Sequence, residues 1–251
     1  MKAAILTDTT KCIGCNECAI ACKRVNRLAP DAPRRWDLED GLSARNWTSV
    51  VEGPNHSYAR QQCRHCLDPA CVASCPVGAL SKTEIGAVVY DNGKCMGCRY
   101  CMMACPYGVP RYDWDEPVPY VRKCILCYDR IRAGGQPACT EACPAKATVF
   151  GDRDELIAEA HRRIAQAPPG TYIDKVWGER DLGGTSVISI SNVDLSFLAP
   201  QHPAGSVPLP ETTALAMDAV PFVFTGVVGA MAGLNWIVRR RMKLQAEGSD
   251  E

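Results

Sequence analysis

Apolar and polar residues alternate along this chain in short runs, and one long stretch near the C-terminus is apolar throughout. Strand-length apolar runs lie at residues 3–7, 44–51, 86–90, 147–150, 171–176 and 187–191. The turn signal Asp91-Asn92-Gly93 follows one of them and predicts a small hairpin over residues 78–94. Together with the short helices described next, this pattern predicts an α+β fold.

Two segments have the periodicity of helices. Within residues 154–167 the apolar positions recur at helical spacing, and Pro168-Pro169-Gly170 ends that helix; the positions are Leu156, Ile157, Ala160 and Ile164. A shorter helix is predicted after Cys15, with Ala19, Ile20 and Ala21 facing inward.

The long apolar stretch covers residues 219–238, twenty residues without a charge, with Pro221 near its start. At about 1.5 Å per residue, a helix of this length matches a hydrocarbon layer of ~30 Å. Gly229 and Gly233 offer a small-residue face to another helix. The stretch predicts a transmembrane helix in a lipid bilayer, and the alternative is a helix buried in a soluble protein.

The charges beside this stretch predict its orientation. Arg239, Arg240, Arg241 and Lys243 follow it, whereas Glu211 and Asp218 precede it. The positive-inside rule then places the C-terminal tail in the cytoplasm and the body on the outer, periplasmic face of the inner membrane, with a single pass. The first ten residues do not have the pattern of a signal peptide.

The predicted organisation has four parts. A cysteine-rich domain covers residues 1–150 and contains an insertion at residues 23–62. A helix and strand extension follows at residues 151–199. Four prolines then indicate an extended linker over residues 200–212, and residues 213–251 form the membrane anchor; the prolines are Pro200, Pro203, Pro208 and Pro210.

Charge and cysteine content narrow the function. Lys plus Arg and Asp plus Glu both number 28, so the net charge is zero and nothing indicates a nucleic-acid partner. The 251 residues include sixteen cysteines, whereas aromatic residues make up only 7%. Bonds through sulfur are therefore expected to replace part of the hydrophobic core.

All sixteen cysteines fall into four groups of four. Group 3 has gaps of two, two and three residues and is followed by Pro106, which is the bacterial ferredoxin spacing for 4Fe–4S clusters. Group 1 has the same gaps but is followed by Lys23, while groups 2 and 4 contain longer gaps of four and eleven residues. The groups are Cys12, Cys15, Cys18 and Cys22; Cys63, Cys66, Cys71 and Cys75; Cys95, Cys98, Cys101 and Cys105; and Cys124, Cys127, Cys139 and Cys143. This spacing favours clusters over zinc sites, which use cysteine pairs and often histidine, and over disulfide scaffolds.

Four groups of four predict four 4Fe–4S clusters. In two-cluster ferredoxins the fourth cysteine of each run binds the other cluster. Groups 2 and 3 are joined by a short hairpin, so we expect them to exchange ligands, which leaves groups 1 and 4 for each other. The predicted ligand sets are Cys63, Cys66, Cys71 and Cys105; Cys95, Cys98, Cys101 and Cys75; Cys12, Cys15, Cys18 and Cys143; and Cys124, Cys127, Cys139 and Cys22. The fold would then be two nested ferredoxin-like units.

Residues near the cysteines allow two interpretations each. Basic residues beside them are either ordinary surface charge or compensation for negative clusters; they are Lys11, Lys23, Arg24, Arg64, Arg99, Arg122 and Lys123. His65 either ligates iron or relays a proton, or it has a structural hydrogen bond, which we favour. Residues 23–62 either contact a partner subunit or cover the clusters as a hairpin. Gly14 is expected to let its loop wrap closely round a cluster.

The sequence contains no Ser/His/Asp set, no spare thiol and no Gly-rich dinucleotide loop after a strand. We therefore expect an electron-transfer subunit that is not itself catalytic.

The four groups in this order, with the Cys63-Arg64-His65-Cys66 run, resemble the four-cluster iron–sulfur subunits of molybdopterin oxidoreductases and some hydrogenases over residues 1–150. The later part of the chain resembles more specifically the beta subunit of membrane-bound respiratory formate dehydrogenase. This part comprises residues 175–186, the strand after them, the proline linker and the single span. The alternative is the similar subunit of a membrane-bound nickel–iron hydrogenase or of another molybdopterin oxidoreductase.

The resemblance implies two protein partners in anaerobic respiration. A molybdenum- or tungsten-pterin catalytic subunit supplies electrons, and a membrane cytochrome b subunit receives them and reduces quinone. It also implies that the folded complex is exported on the twin-arginine signal of the catalytic partner.

Overall fold

The computed structural model describes residues 1–29, 40–114, 116–117, 120–198 and 205–247. The chain divides into two units, Met1–Leu209 and Pro210–Glu251. Residues 30–39 of the predicted insertion, and Pro200 and Pro203 of the predicted linker, lie outside the described residues.

The strands, in chain order, are β1 (Ala3–Asp8), β2 (Thr48–Glu52), β3 (Tyr58–Gln62), β4 (Leu80–Lys82), β5 (Val88–Tyr90), β6 (Arg111–Tyr112), β7 (Val121–Arg122), β8 (Thr148–Asp152) and β9 (Val187–Ile190). The α-helices are α1 (Glu17–Asn26), α2 (Ala70–Ala73), α3 (Tyr100–Ala104), α4 (Tyr128–Arg132), α5 (Ala138–Glu141), α6 (Arg153–Gln166) and α7 (Leu209–Glu247).

The first unit is built on a three-stranded sheet with the order β8–β1–β9. β1 is antiparallel to β8 and parallel to β9, and all of its residues are buried. Successive side chains of a strand point to opposite faces, so Leu6 packs in a cluster with Leu156 of α6, whereas Ile5 packs with Leu126. One face of the sheet therefore carries α6, and the other faces the cysteine-rich loops.

Small hairpins accompany this sheet. β4–β5 is the hairpin predicted over residues 78–94; it pairs Leu80 with Tyr90 and connects groups 2 and 3. β2–β3 lies in the predicted insertion and pairs Thr48 with Gln62. β6–β7 is the shortest, with two residues in each strand.

The predicted strands at residues 3–7, 147–150 and 187–191 are confirmed, with ends shifted by one or two residues. The helix predicted at residues 154–167 is also confirmed. Its N-terminus is capped by the Asp152 side chain, which accepts a hydrogen bond from the Asp154 amide at 3.0 Å.

Two strand predictions need correction. The strand expected at residues 44–51 begins only at Thr48, because Ser43 and Asn46 hydrogen-bond each other's backbone in a turn. The strand expected at residues 171–176 is wrong. There the Lys175 amide donates to the Ile173 carbonyl at 2.7 Å, and this local turn interrupts regular pairing beside β9.

The inward face predicted for α1 is also partly wrong. Ala19 is buried, but Ile20 is 45% exposed. Cys18 and Cys22 lie one helical turn apart and face the interior together, so Ile20, two residues from each, points away from it.

The C-terminal helix α7 begins at Leu209, inside the segment predicted as a linker, and continues through Pro221 to Glu247. Its most apolar window has a mean hydropathy of 1.7, and none of that window is buried. The side chain of Thr225 donates a hydrogen bond to the Pro221 carbonyl at 2.7 Å. By length and composition, the helix is able to cross a membrane.

Candidate metal centres

The structure gathers the sixteen cysteines into four sets of four, each drawn from two of the sequence groups. We name them quartet A (Cys12, Cys15, Cys18, Cys143), quartet B (Cys22, Cys124, Cys127, Cys139), quartet C (Cys63, Cys66, Cys71, Cys105) and quartet D (Cys75, Cys95, Cys98, Cys101). Quartets A, B and D each line a small cavity. In quartet C the other three thiols all act electrostatically on Cys66.

Each quartet takes three cysteines from one group and the fourth from another. This is the grouping that the sequence predicts, and it places Cys105 with the cysteines of group 2 and Cys143 with those of group 1. That these thiols bind 4Fe–4S clusters stays a prediction.

Tight turns of the backbone place the cysteines round each cavity. Gly14 has φ +71°, and an added Cβ would lie 2.9 Å from the Tyr58 ring. Gly97, at the same position of its own group, has φ +75°. Asn16 and Arg99 are also left-handed, with φ 60° and 64°, immediately before α1 and α3. The two loops therefore follow similar paths, and glycine is required at Gly14.

Packing between cysteines of different quartets defines the order A, B, C, D. Cys18 packs in one hydrophobic cluster with Cys139, Cys124 with Cys63, and Cys71 with Cys101. The groups therefore line up as 1, 4, 2 and 3, which differs from their order along the chain.

The two ends of this row lie nearer the surface than its middle. Ile13 lines the cavity of quartet A and is 63% exposed, and Met96 lines the cavity of quartet D and is 65% exposed. Cys124 of quartet B and Cys63 of quartet C are buried. Another molecule can therefore approach quartets A and D more closely than quartets B and C.

A buried guanidinium lies between quartets A and B. Arg60 of β3 is buried, and its three guanidinium nitrogens have no hydrogen-bond partner. Burial disfavours its charge, but the thiols of Cys139, Cys18 and Cys124 act in the opposite direction and raise the pKa of Arg60. A buried, unpaired cation is costly unless negative charge compensates it. Arg60 therefore indicates that quartets A and B carry negative charge.

Further cations surround quartet C. Lys123 is buried, and its ammonium donates to the Cys124 carbonyl at 3.0 Å and interacts with the Cys71 thiol. Lys82 donates to the Cys66 carbonyl at 2.7 Å. Arg64 is buried over the Tyr107 ring, 5.6 Å from its centroid.

The basic residues that the sequence places beside cysteines, interpreted either as surface charge or as compensation for clusters, differ in their environment. Arg64 and Lys123 do lie inside the protein beside thiols. Arg99 lines the cavity of quartet D and lies over the exposed Trp114 ring, 5.2 Å from its centroid. The half-exposed Lys11 instead pairs with the buried Asp8 at 3.8 Å. Arg60 and Lys82 were missed because they are not adjacent to a cysteine in the sequence, and only the fold brings them there.

Some of the buried thiols require a metal if they are to be charged. Burial raises the pKa of Cys22 to about 12 and that of Cys71 to about 12. Without metal such thiols are protonated at neutral pH, whereas metal coordination deprotonates a thiol. Sixteen free thiols with buried cations beside them fit iron–sulfur clusters, in which each iron takes one thiolate.

The hairpin in the predicted insertion covers two of the cavities. Val50 and Arg60 line the cavity of quartet A, and Thr48 and Gln62 line that of quartet B. For residues 48–62, this supports the interpretation as a covering hairpin.

His65 has the structural hydrogen bond that we favoured. Its Nδ1 accepts from the Val88 amide at 2.9 Å, and the residue is fully buried with φ 49°. Burial, together with nearby Lys123 and Lys82, lowers the pKa of His65 well below its ordinary value, so the ring is neutral.

Comparison with known proteins identifies relatives. A 4Fe-4S dicluster domain matches residues 54–153. A protein of Nitratidesulfovibrio vulgaris is 40% identical over 98% of this chain and 70% of its own length. The hydrogenase-2 operon protein HybA of Escherichia coli is 35% identical over 95% of this chain and 84% of its own length. The B subunit of the anaerobic dimethyl sulfoxide reductase of Escherichia coli is 40% identical over 64% of this chain and 78% of its own length.

A mixed helix–strand fold with cysteine quartets and a 4Fe-4S domain defines the class of ferredoxin-type iron–sulfur proteins. Within that class, the chain belongs to the family of iron–sulfur electron-transfer subunits of molybdopterin oxidoreductases and hydrogenases that includes these relatives.

Proposed function

We propose that the chain carries electrons through four 4Fe–4S clusters, one in each quartet, as the non-catalytic subunit of a membrane-bound oxidoreductase. The cysteines of quartets A to D are the ligands, so one two-cluster unit, C with D, is nested within another, A with B. The observation that carries the proposal is Arg60, a buried and unpaired cation between two thiol quartets. Negatively charged clusters compensate that cation.

The row of quartets suggests what the protein contributes to electron flow. Electrons enter and leave at quartets A and D, which lie nearest the surface. The chain shields quartets B and C from water and surrounds them with buried or half-buried cations, and positive charge near a cluster raises its reduction potential. Arg60, Lys82 and Lys123 supply that charge.

Two catalytic partners are candidates. The first is a formate-oxidising subunit with a molybdenum- or tungsten-pterin, with a membrane cytochrome b subunit as the electron acceptor; the resemblance of residues 175–186 and the C-terminal helix support it. The second is a nickel–iron hydrogenase, which the 35% identity to the hydrogenase-2 operon protein over 95% of this chain supports.

The complex purified from its native membrane tests both the presence of the clusters and the identity of the catalytic partner. We expect about sixteen irons and a similar amount of acid-labile sulfide per chain, four of each per cluster. Formate oxidation with a bound pterin supports the first partner, and hydrogen oxidation with bound nickel the second. Far fewer irons, or zinc in their place, would refute the clusters whichever partner is found.

We also propose that α7 crosses the inner membrane with its C-terminus in the cytoplasm and the cluster-bearing unit in the periplasm. The exposed apolar side chains of α7 support this, since a soluble monomer rarely exposes such a large apolar surface. Arg239, Arg240 and Arg241 lie at the end predicted to be cytoplasmic.

A fusion of alkaline phosphatase to Glu251 tests this topology, because the enzyme is active only outside the cytoplasm. We expect the fusion to be inactive, and a fluorescent protein at the same position to be bright. The reverse pattern would show that the C-terminus is outside. As a control, the phosphatase is fused after Leu198, before the helix, where activity is expected once the complex is exported.

A further inference from the structure

The buried polar atoms that lack a hydrogen-bond partner are not scattered through the protein. Among the described residues, such atoms belong to five side chains: Asn46, Arg60, Gln62, His65 and Tyr90. A buried polar group without a partner is unfavourable, so each one needs an explanation. Three of the five line the cavities of quartets A, B and D, and a fourth, His65, lies between two cysteines of quartet C in the chain.

The positions of three of them follow from the cavities. Arg60 lines the cavity of quartet A, Gln62 that of quartet B and Tyr90 that of quartet D. Arg60 and Gln62 are two residues apart on β3, so both point to the same face of the hairpin.

The fourth, His65, lies between Cys63 and Cys66 of quartet C in the chain. Its Nδ1 accepts the hydrogen bond of the Val88 amide, so in the neutral ring the proton is on Nε2. Nε2 is the atom without a partner.

All four side chains have an unpaired hydrogen-bond donor, in the order guanidinium, amide, imidazole N–H and phenol, and Gln62 leaves its Oε1 unpaired as well. Asn46 differs, because its unpaired atom is Oδ1, an acceptor, while its amide nitrogen donates to the Gly41 carbonyl at 2.6 Å. Each side chain assigned to a quartet can therefore donate a hydrogen bond to a sulfur atom.

We propose that Arg60, Gln62, His65 and Tyr90 each donate a hydrogen bond to the sulfur atoms of the cluster in the adjacent quartet, and so set the reduction potentials of the clusters one by one. This inference rests on the proposed function, because it requires the clusters. Hydrogen bonds to cluster sulfurs stabilise the reduced, more negative form and raise its potential. Arg60 acts on two clusters, since its guanidinium interacts with thiols of both A and B.

Tyr90→Phe and Gln62→Met test the inference with little change of shape. In the full complex, a redox titration followed by electron paramagnetic resonance measures the midpoint potential of each cluster. We expect Tyr90→Phe to make the potential of cluster D more negative and leave the other three unchanged, and Gln62→Met to do the same for cluster B alone. Arg60→Met should lower both A and B. The signals of the four clusters are assigned by their loss in cysteine variants of each quartet.

Two neighbouring residues provide matched controls. Gln61 lies next to Gln62 on β3 and is equally buried, but its amide donates to the Leu198 carbonyl at 3.1 Å. Gln61→Met should leave the potential of cluster B unchanged. Tyr128 donates to Glu84 at 3.1 Å on the surface, so Tyr128→Phe should not move cluster D.

The outcomes separate this inference from the proposed function. Wild-type protein without four cluster signals would refute the proposed function itself. The donor assignment alone would be overturned if all four clusters were intact but their potentials did not respond to Tyr90→Phe and Gln62→Met. An equal response to the control variants would also overturn it.

Discussion

Replacing Cys105 by alanine is expected to remove the cluster of quartet C and to leave the cluster of its own sequence group, quartet D, in place. Cys105 lies in the group 3 run, but the structure gathers it with Cys63, Cys66 and Cys71. A cubane that loses one of four thiolates is left with an iron open to water, which destabilises it. Because quartet C lies in the middle of the row, its loss should interrupt electron flow between the two ends almost completely.

The measurement combines iron analysis with resonance spectra of the purified complex. Cys105→Ala should lower the iron content from about sixteen to about twelve per chain, with one cluster signal missing. Cys101→Ala is the matched control, since it lies one helical turn earlier in the same run. The same amount of iron should be lost, but from quartet D. If both variants removed the same signal, the exchange of ligands between groups 2 and 3 would be wrong.

The largest effect on stability outside the quartets is expected at Gly178. This residue has φ +86°, and an added Cβ would lie 2.4 Å from the Thr185 hydroxyl and 2.8 Å from the Val187 carbonyl. Its own carbonyl accepts the Thr185 amide at 2.8 Å, which fixes the segment beside β9. Gly178→Ala therefore combines a left-handed alanine with a clash against backbone, and should lower the free energy of unfolding by about 3 kcal/mol.

Gly170 is the matched control for this effect. It has the same φ of +86°, but nothing lies within 4 Å of an added Cβ. Gly170→Ala should therefore lower the free energy of unfolding only by the cost of a left-handed alanine, about 1 kcal/mol. Urea unfolding of the cluster-loaded protein, followed by circular dichroism, compares the two. Equal destabilisation would show that the contact with Thr185 and Val187 is relieved by a small shift of the loop.

The sequence alone determined the features that depend on local spacing. In groups 1 and 3 the cysteine spacing fixes which three thiols can surround one cavity, because gaps of only two residues separate them. The helix at residues 154–167 and the strand at residues 3–7 followed from periodicity, since each buries one continuous face. The long uncharged stretch at residues 219–238 likewise predicted a helix without any reference to its surroundings.

Only the tertiary structure decided what depends on residues distant in the chain. The order A, B, C, D follows from contacts between groups 1 and 4 and between groups 4 and 2. The segment at residues 171–176 has the apolar pattern of a strand, but its partner β9 is reached through a turn at Lys175 that the pattern does not reveal. Arg60 and Gln62 are three residues and one residue from the nearest cysteine in sequence, and both look like ordinary polar residues of a hairpin. Packing of that hairpin over quartets A and B places the two side chains among the thiols. Only the complete fold buries them there, and burial makes an unpaired charge or hydrogen-bond donor energetically costly.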